Sequence, residues 1–267
     1  MMAPITILHE DDSLIAVAKP AGIATANVPA GEESVFTVVR KMVARRPRPK
    51  GKAAAESERD GRPSGDEPFL GVVSRLDKPV SGVVVLAKTR DAAASLAAQF
   101  RERSIEKTYH AVVEGRFPSP VGQWVTWRDV VERPAADRDR RQGRGRPQAS
   151  AVRTADADDD GEDRGRPAEL RARVLKRFGE VSIVELRPLT GRRHQLRAQC
   201  AAHGCPIVGD RMYGARLPFP DGIALHAREI AFDHPGTGHA CRIVADFPEA
   251  WRPRFAPLIN AIPEPRG

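Results

Sequence analysis

Residues 74–88 read S-R-L-D-K-P-V-S-G-V-V-V-L-A-K and join a charged loop directly to an apolar run. The apolar part, residues 81–88, is rich in valine, which favours a buried β-strand. Functional side chains often lie in loops at strand ends, so Asp77 is a candidate for chemistry. Because Arg75 and Lys78 flank it, its carboxylate is expected to stay ionised at neutral pH. The alternative is a turn aspartate in a local salt bridge.

Strand and helix signals on both sides of this segment predict an α+β fold. Residues 5–9 and 14–19 flank an acidic turn and predict a hairpin. Further strands are predicted at 107–114, 181–187 and 223–232, and helices at 36–43, 91–103 and 193–203. Since the strands outnumber the helices and do not alternate with them one for one, we expect a mixed, mainly antiparallel sheet.

Two segments, residues 45–68 and 133–167, differ in composition from the rest of the chain. The first has much proline and glycine and almost no large apolar residue, and the second is arginine-rich and then acidic. Such composition predicts flexible surface insertions, the second around a short strand near residues 149–153. The whole chain, residues 1–267, is predicted to form one domain that carries both insertions.

The charge balance favours a polyanionic partner. The chain has 43 Lys and Arg against 35 Asp and Glu, a formal net charge of +8, which suits a nucleic acid. The longest apolar run is about five residues, too short to span a bilayer, and the first residues lack a secretory signal pattern. The three cysteines do not form a disulfide framework. We therefore expect a cytoplasmic monomer without a membrane partner.

Residues 190–197 read T-G-R-R-H-Q-L-R and open the last predicted helix. Arginines at a helix N-terminus bind anions well, so phosphate or a buried carboxylate would suit this segment. Arg193 and Arg197 are four residues apart and are expected on one helical face. The alternative is a solvated basic turn.

Lys107 and Tyr109 are two residues apart on a predicted strand and should point to one face of the sheet. A tyrosine beside a cation can stack on a nucleic-acid base. A half-buried sheet tyrosine without such a role is the alternative.

Cofactor and metal signals are weak in this sequence. Cys200, His203, Cys205 and Cys241 have a spacing that matches no ordinary structural zinc site, and Cys200 is predicted to be a small core residue. We therefore predict no metal. No P-loop, H-E-x-x-H, G-x-S-x-G or dinucleotide fingerprint occurs, which argues against ATP-driven, proteolytic and hydride-transfer chemistry and against a nucleotide cofactor.

Taken together, six ordered motifs resemble the RluA-type family of RNA pseudouridine synthases. Besides residues 74–88, they are 7–22 (I-L-H-E-D-D-S-L-I-A-V-A-K-P-A-G), 106–115 (E-K-T-Y-H-A-V-V-E-G), 186–197 (L-R-P-L-T-G-R-R-H-Q-L-R), 206–214 (P-I-V-G-D-R-M-Y-G) and 225–227 (L-H-A). Two positions depart from the family pattern: Ser74 replaces a histidine and Val80 replaces a threonine.

The resemblance implies an isomerase that detaches uracil from C1′ of a uridine, turns it and reattaches it through C5, without a cofactor. It implies a catalytic domain whose sheet lies in two halves around a basic cleft, with Asp77 as the catalytic aspartate. Arg197 would pair with Asp77, because a carboxylate in a closed pocket needs a compensating cation. Tyr109 would stack on the target base, and Arg75 would help to extrude the nucleotide.

The partner implied is RNA, either ribosomal or transfer RNA. Lys107, Arg192 and Arg193 are predicted RNA contacts, and Lys19 and Arg211 are candidates for RNA or structural contacts. One alternative is a non-catalytic RNA-binding or ribosome-assembly factor on the same scaffold, which would be expected to lack the aspartate, tyrosine or arginine. A glycosidic-bond hydrolase is disfavoured, because it would commonly need paired carboxylates.

Overall fold

The computed structural model describes residues 4–45, 68–132, 150–154, 165–260 and 262. The strands are β1 (Thr6–Glu10), β2 (Leu14–Lys19), β3 (Gly71–Val72), β4 (Ser81–Ala87), β5 (Glu106–Glu114), β6 (Trp124–Val131), β7 (Val152–Thr154), β8 (Arg166–Phe178), β9 (Val181–Pro188), β10 (Leu225–Asp233) and β11 (Ala240–Val244). The helices are α1 (Val35–Ala44), α2 (Arg90–Glu102), α3 (Gln195–Ala202) and α4 (Arg252–Ile259).

The strands form one sheet in the order β1-β2-β4-β10-β5-β9-β8-β6-β7. β3 joins the sheet beside β4, and β11 joins it beside β10. The β4–β10 pair is parallel, whereas the other paired strands are antiparallel. The predicted α+β class with a mixed, mainly antiparallel sheet is therefore confirmed.

The predicted hairpin of β1 and β2 and the predicted buried strand β4 are both present. β3, β6, β8, β11 and α4 were not predicted. β8 buries every second residue, Ala168, Leu170, Ala172 and Val174, and alternates them with arginine and other polar side chains. Because the residues that face outward are polar, the composition of β8 resembles that of a loop. The residues that face inward nevertheless recur at every second position, as in a half-buried strand.

The two predicted insertions fall mainly outside the described residues. Of the segment 45–68, only its two end residues are described. Of the segment 133–167, residues 150–154 and 165–167 are described, and they include β7 and the start of β8. These residues belong to the sheet, because β7 pairs with β6 and Pro167 pairs with Val130.

The sheet divides between β5 and β9, at a position that we call the β5–β9 fork. The two strands pair from Glu114 opposite Val181 to Tyr109 opposite Leu186. Beyond this last rung, residues 106–108 pair with β10, whereas residues 187–188 pair with β8. The sheet therefore opens beside Tyr109, because each strand follows a different neighbour.

The largest apolar core lies between the β5, β8 and β9 face and helices α3 and α4. Leu186 and Ala111 from the sheet, Leu196 and Cys200 from α3 and Trp251 beside α4 belong to this one buried cluster. Cys200 is fully buried, as its predicted core role requires. Within the part of the chain that the structure covers, no helix is long and apolar enough to cross a membrane.

Gly82 allows β4 to meet β10 directly behind the 74–80 loop. It has a φ of +124° and pairs with Ala227, and a Cβ at this position would overlap the Ala227 backbone. A side chain is therefore excluded by both conformation and space.

We expect Gly82→Ala to destabilise the protein by more than about 3 kcal/mol, because it adds steric overlap to backbone strain. The matched control is Gly179→Ala, where φ is +56° but no atom lies within 4 Å of the added Cβ. Gly179→Ala should lower the free energy of unfolding by only about 1–2 kcal/mol. Urea unfolding of both variants measures the difference, and similar costs would contradict the close approach of β4 and β10.

Candidate active site

The loop that carries Asp77 is anchored from below by Lys19. The Lys19 side chain is buried, and its ammonium donates to the carbonyl oxygens of Ile23 (2.8 Å), Pro20 (2.9 Å) and Lys78 (3.2 Å). Burial lowers the pKa of Lys19 to about 7, although the charge of Asp77 acts in the opposite direction. Lys19 therefore makes structural contacts, which was one of its two predicted roles.

Two further contacts fix the same loop. The Thr25 hydroxyl donates to the Leu76 carbonyl and accepts from the Leu76 amide, both at 3.0 Å. The Val80 amide donates to the Asp77 carbonyl at 3.0 Å, which closes a turn. The backbone on both sides of Asp77 is thus held by hydrogen bonds from β2, from the segment after it and from the loop itself.

The two departures from the family pattern are accommodated by packing. The Ser74 hydroxyl accepts from the Val85 amide at 3.0 Å and so ties the loop to β4. Val80 is only 3% exposed and lies in the largest apolar core. Neither side chain carries a charge or an ionisable group in the cleft.

Arg197 connects Asp77 to a second carboxylate. Its side chain is 5% exposed and forms a bidentate pair with Asp210, from Nε to Oδ2 at 2.7 Å and from Nη2 to Oδ1 at 2.9 Å. Its Nη1 atom lies 3.3 Å from Oδ2 of Asp77. Asp210 is 1% exposed, whereas the Asp77 side chain is 30% exposed. The arginine is therefore fixed by the buried acid and presents its remaining edge to the accessible one.

The surroundings of Arg197 favour its charged form. Burial alone would lower the pKa of Arg197, but the carboxylates of Asp210 and Asp77 outweigh it and raise that pKa. The Arg197 guanidinium also lies over the Tyr213 ring, 5.0 Å from its centroid. Such contacts stabilise a cation, so Arg197 remains charged beside Asp77.

His194 completes the surroundings of Asp77. Its Nε2 atom lies 3.7 Å from Asp77 Oδ2, and its Nδ1 atom lies 3.1 Å from the Tyr213 hydroxyl. Because Nε2 faces a carboxylate, which only accepts, we assign the ring proton to Nε2, and Nδ1 then accepts from the Tyr213 hydroxyl. The Tyr213 oxygen in turn accepts from the Ser150 amide at 2.8 Å. Burial lowers the pKa of His194 despite the opposing charge of Asp77, so the imidazole is neutral at pH 7.

Helix α3 begins at Gln195, not at the predicted Arg193, because the Gln195 side chain holds the preceding segment as a loop. Its Oε1 accepts from the Thr190 hydroxyl (2.8 Å) and from the Arg192 amide (3.0 Å). The prediction that Arg193 and Arg197 share a helical face is therefore wrong. Arg193 is exposed, whereas Arg197 is buried.

A cavity of about 920 Å³ opens above this group. All seven side chains predicted as catalytic or RNA-binding line it: Arg75, Asp77, Lys107, Tyr109, Arg192, Arg193 and Arg197. Arg211, a looser candidate, is exposed and does not line it. The structure thus brings these residues from three separate motifs to one cleft, whose charged lining residues are mainly cationic.

Two residues of β5 form the wall opposite α3. Tyr109 lies at the last rung before the β5–β9 fork. Burial and the negative charge of Asp77 raise the pKa of its phenol, so the hydroxyl stays protonated at neutral pH. Burial lowers the pKa of Lys107, whose ammonium lies 6.0 Å from the centroid of the Phe100 ring.

Among the described residues, Cys200, His203, Cys205 and Cys241 do not form a group with metal-ligand spacing. Cys200 and Cys205 are buried, whereas His203 stacks on Trp127 and lies 3.2 Å from Asp129. A different group, His9, Asp11 and His234, has metal-type spacing among the described residues.

Hydrogen bonds argue against metal binding by the His9–Asp11–His234 group. The Nδ1 atom of His234 accepts from the amides of Gly236 and Thr237, both at 3.2 Å. Its Nε2 atom must then carry the proton of the neutral ring, which it donates to Asp11 at 2.8 Å. That nitrogen therefore has no lone pair for a metal.

Three residues around Asp77 and Arg197 were not singled out from the sequence: His194, Asp210 and Tyr213. All three lie inside quoted motifs, but each acts through a partner that is distant in the chain. Asp210 contacts Arg197 and Tyr213 contacts Ser150, so spacing within one motif does not reveal the contacts. A buried aspartate after a glycine turn, G-D-R at residues 209–211, was the available signal.

Comparison with known proteins gives a consistent result. A family model described as RNA pseudouridylate synthase matches residues 13–202. Ribosomal large subunit pseudouridine synthase C of Escherichia coli (strain K12) is 32% identical over 265 residues, covering 96% of this chain and 70% of that protein. The protein of the same name from Pasteurella multocida (strain Pm70) is 32% identical over 247 residues, covering 90% of this chain and 63% of that protein.

Two solved structures share the fold. Human RNA Pseudouridylate Synthase Domain Containing 4 superposes with a TM-score of 0.65 at 23% identity, covering 95% of this chain and 92% of that chain. Human RNA Pseudouridylate Synthase Domain Containing 1 gives a TM-score of 0.66 at 21% identity, covering 98% and 97%.

We expect Asp210→Asn to destabilise the protein by about 3 kcal/mol, because it leaves the buried Arg197 charge with only the longer, 3.3 Å contact to Asp77. Asp246→Asn is the matched control, since that side chain is 95% exposed and pairs with Arg228 at the surface. The control should change stability little. Urea unfolding at neutral pH measures both, and an Asp210→Asn variant as stable as the control would contradict the ion pair.

Proposed function

Because the chain belongs to the RNA pseudouridylate synthase family, we propose that it isomerises specific uridines of large-subunit ribosomal RNA and that Asp77 is its catalytic carboxylate. Membership of the family makes the chain an RNA pseudouridine synthase of the RluA type. The substrate and the roles of individual residues are the proposal. The ribosomal RNA assignment rests on the printed names of the relatives.

The observation that carries the assignment of Asp77 is its place at the floor of the cleft, 3.3 Å from the buried Arg197. A carboxylate that acts on a ribose must be ionised and directed at the sugar, whether it adds covalently or removes a proton. Arg197 supplies the positive charge, and Asp210 holds Arg197 in place. The Asp77 side chain remains partly accessible, as an encounter with substrate requires.

The uridine must leave its stack to reach Asp77, which costs a few kcal/mol. Tyr109 faces the cleft and offers an aromatic surface to the extruded base, and one such stacking contact contributes about 1–3 kcal/mol. Arg75 is exposed at the rim of the cleft and has no ion-pair partner among the described residues. Its guanidinium is therefore available to the RNA, in line with a role in extruding the nucleotide.

Lys107, Arg192 and Arg193 are proposed to contact the RNA from the cleft walls. Arg193 is exposed, and Arg192 is half-buried with its Nε donating to the Pro167 carbonyl at 2.9 Å. Phosphate contacts of this kind make RNA affinity salt-dependent.

We expect Asp77→Asn to abolish pseudouridine formation while the fold and RNA binding remain, because the amide keeps the shape of the carboxylate and removes its charge. Pseudouridine is mapped across total ribosomal and transfer RNA from cells that lack the gene and carry either wild type or the variant. Sites in large-subunit ribosomal RNA should vanish on deletion and return with wild type but not with Asp77→Asn.

The control for this experiment is Asp246→Asn, which makes the same chemical change at an exposed position and should restore the sites. Full restoration by Asp77→Asn would refute its catalytic role. Sites that vanish only from transfer RNA would refute the proposed substrate and leave the catalytic assignment standing.

Tyr109→Phe should keep RNA binding, because the ring and its stacking surface remain. We expect turnover to fall at least about tenfold, since the phenol is held protonated and can take part in proton transfer. Single-turnover rates on ribosomal RNA, together with the dissociation constant, separate the two effects. Unchanged turnover would limit Tyr109 to stacking.

A further inference from the structure

A second groove continues from the cleft through the β5–β9 fork. It has a volume of about 730 Å³ and shares part of its wall with the cleft, including Lys107, Pro188 and Arg192. The groove lies between the end of α2, the start of β5 and the end of β9. The cleft is therefore continuous with a passage that opens where the two strands separate.

We propose that an RNA strand adjacent to the target uridine enters this groove and that arginines outside the family motifs bind its phosphates. The inference rests on the RNA substrate of the proposed function but concerns a different surface. Six cationic residues and one acidic residue line the groove. The cationic residues are Arg101, Arg103, Lys107, Arg171, Arg187 and Arg192, and the acidic residue is Glu106. A polyanionic strand is the ligand that suits such a balance.

Several of these charges are not neutralised within the protein. Arg101 and Arg103 are exposed and have no carboxylate partner among the residues that the structure describes. Burial lowers the pKa of Arg192, and the neighbouring charges of Arg166 and Arg103 add to that shift. The like charges therefore repel each other, and a bound phosphate would relieve that repulsion.

Arg103 occupies a backbone position that favours glycine. It ends α2 with a φ of +61° and a ψ of +26°, in the left-handed region. Glycine or asparagine is usual there, and another residue costs about 1–2 kcal/mol. A cation at a helix C-terminus contributes only about 0.3–1 kcal/mol, less than this backbone cost, and we assign the arginine to phosphate binding.

The far side of the groove is organised by Trp124. The guanidinium carbons of Arg171 and Arg187 lie 5.0 and 5.1 Å from the centroid of its ring, and Arg173 lies at 4.6 Å. Arg187 is also held by Glu185 at 2.7 Å, but no carboxylate is paired with Arg171 among the described residues. Stacking on the indole thus orients Arg171 without cancelling its charge.

The test uses Arg103→Gly alone and together with Arg171→Gln. Glycine suits the left-handed backbone, so Arg103→Gly should unfold no earlier than the parent protein, and a loss of binding cannot then be attributed to unfolding. The dissociation constant of a fluorescein-labelled, uridine-rich RNA stem-loop is measured across a salt series. Both variants are made in the Asp77→Asn background so that the RNA is not modified during the measurement.

The slope of log affinity against log salt should fall by about 0.7–0.9 for Arg103→Gly and by about twice that for the double variant. Arg116→Gln is the matched control, because Arg116 is exposed and follows the opposite end of β5. It should leave the slope unchanged. An unchanged slope in both groove variants would overturn the proposal, as would an equal fall in the control.

The outcomes are separable from those of the proposed function. A reduced slope together with product formation by Asp77→Asn would refute the catalytic role of Asp77 and support the groove. An unchanged slope together with loss of product in Asp77→Asn would overturn the groove proposal and support the catalytic role of Asp77.

Discussion

The site depends on one buried guanidinium that is shared between two carboxylates. Arg197 is nearly inaccessible and forms its short bidentate pair with Asp210, whose side chain is also buried. Two charges removed from water are costly unless each is compensated with good geometry, so this pair fixes α3 against the turn after residue 209. The third contact of the guanidinium reaches Asp77. The position of Asp77, which is accessible, therefore depends on the Arg197–Asp210 pair, which is buried. The Lys19 contacts hold the loop that carries Asp77 from the other side.

Tyr109 shows how strand register determines chemistry in this fold. It lies on the last rung that joins β5 to β9, and its side chain faces the cleft because the alternation along β5 directs it there. A shift of one residue would turn Tyr109 away from the cleft and bring His110 to it. His110 now faces the opposite side, where its ring stacks on Phe247. The register is maintained by the apolar residues that follow on β5, which pack into the core.

The sequence predicted the parts of the structure whose signals are local or lie in ordered motifs. The valine run of β4 and the β1–β2 hairpin have such local signals, and the family resemblance brought Asp77, Tyr109 and Arg197 together as candidates. β8 was missed because the polar residues on its outward face, including arginines, give its segment the composition of a loop. The start of α3 was misplaced because the Gln195 side chain, not a capping residue before it, organises the preceding loop. The G-D-R turn at residues 209–211 did not reveal the role of Asp210, since that role depends on a partner thirteen positions away.

The position of β10 in the sheet has a consequence for the order of folding. β1, β2 and β4 come first in the chain and β5, β9 and β8 follow, yet among the strands that the structure describes only β10 joins the two groups. β10 begins at Leu225, so during synthesis its residues leave the ribosome after both groups are complete. Contacts between strands so far apart in sequence form slowly, because long loops must close first. Asp77 lies in the loop before β4 and Tyr109 lies on β5, so the two residues face one cleft only after β10 has been synthesised and has paired with both strands.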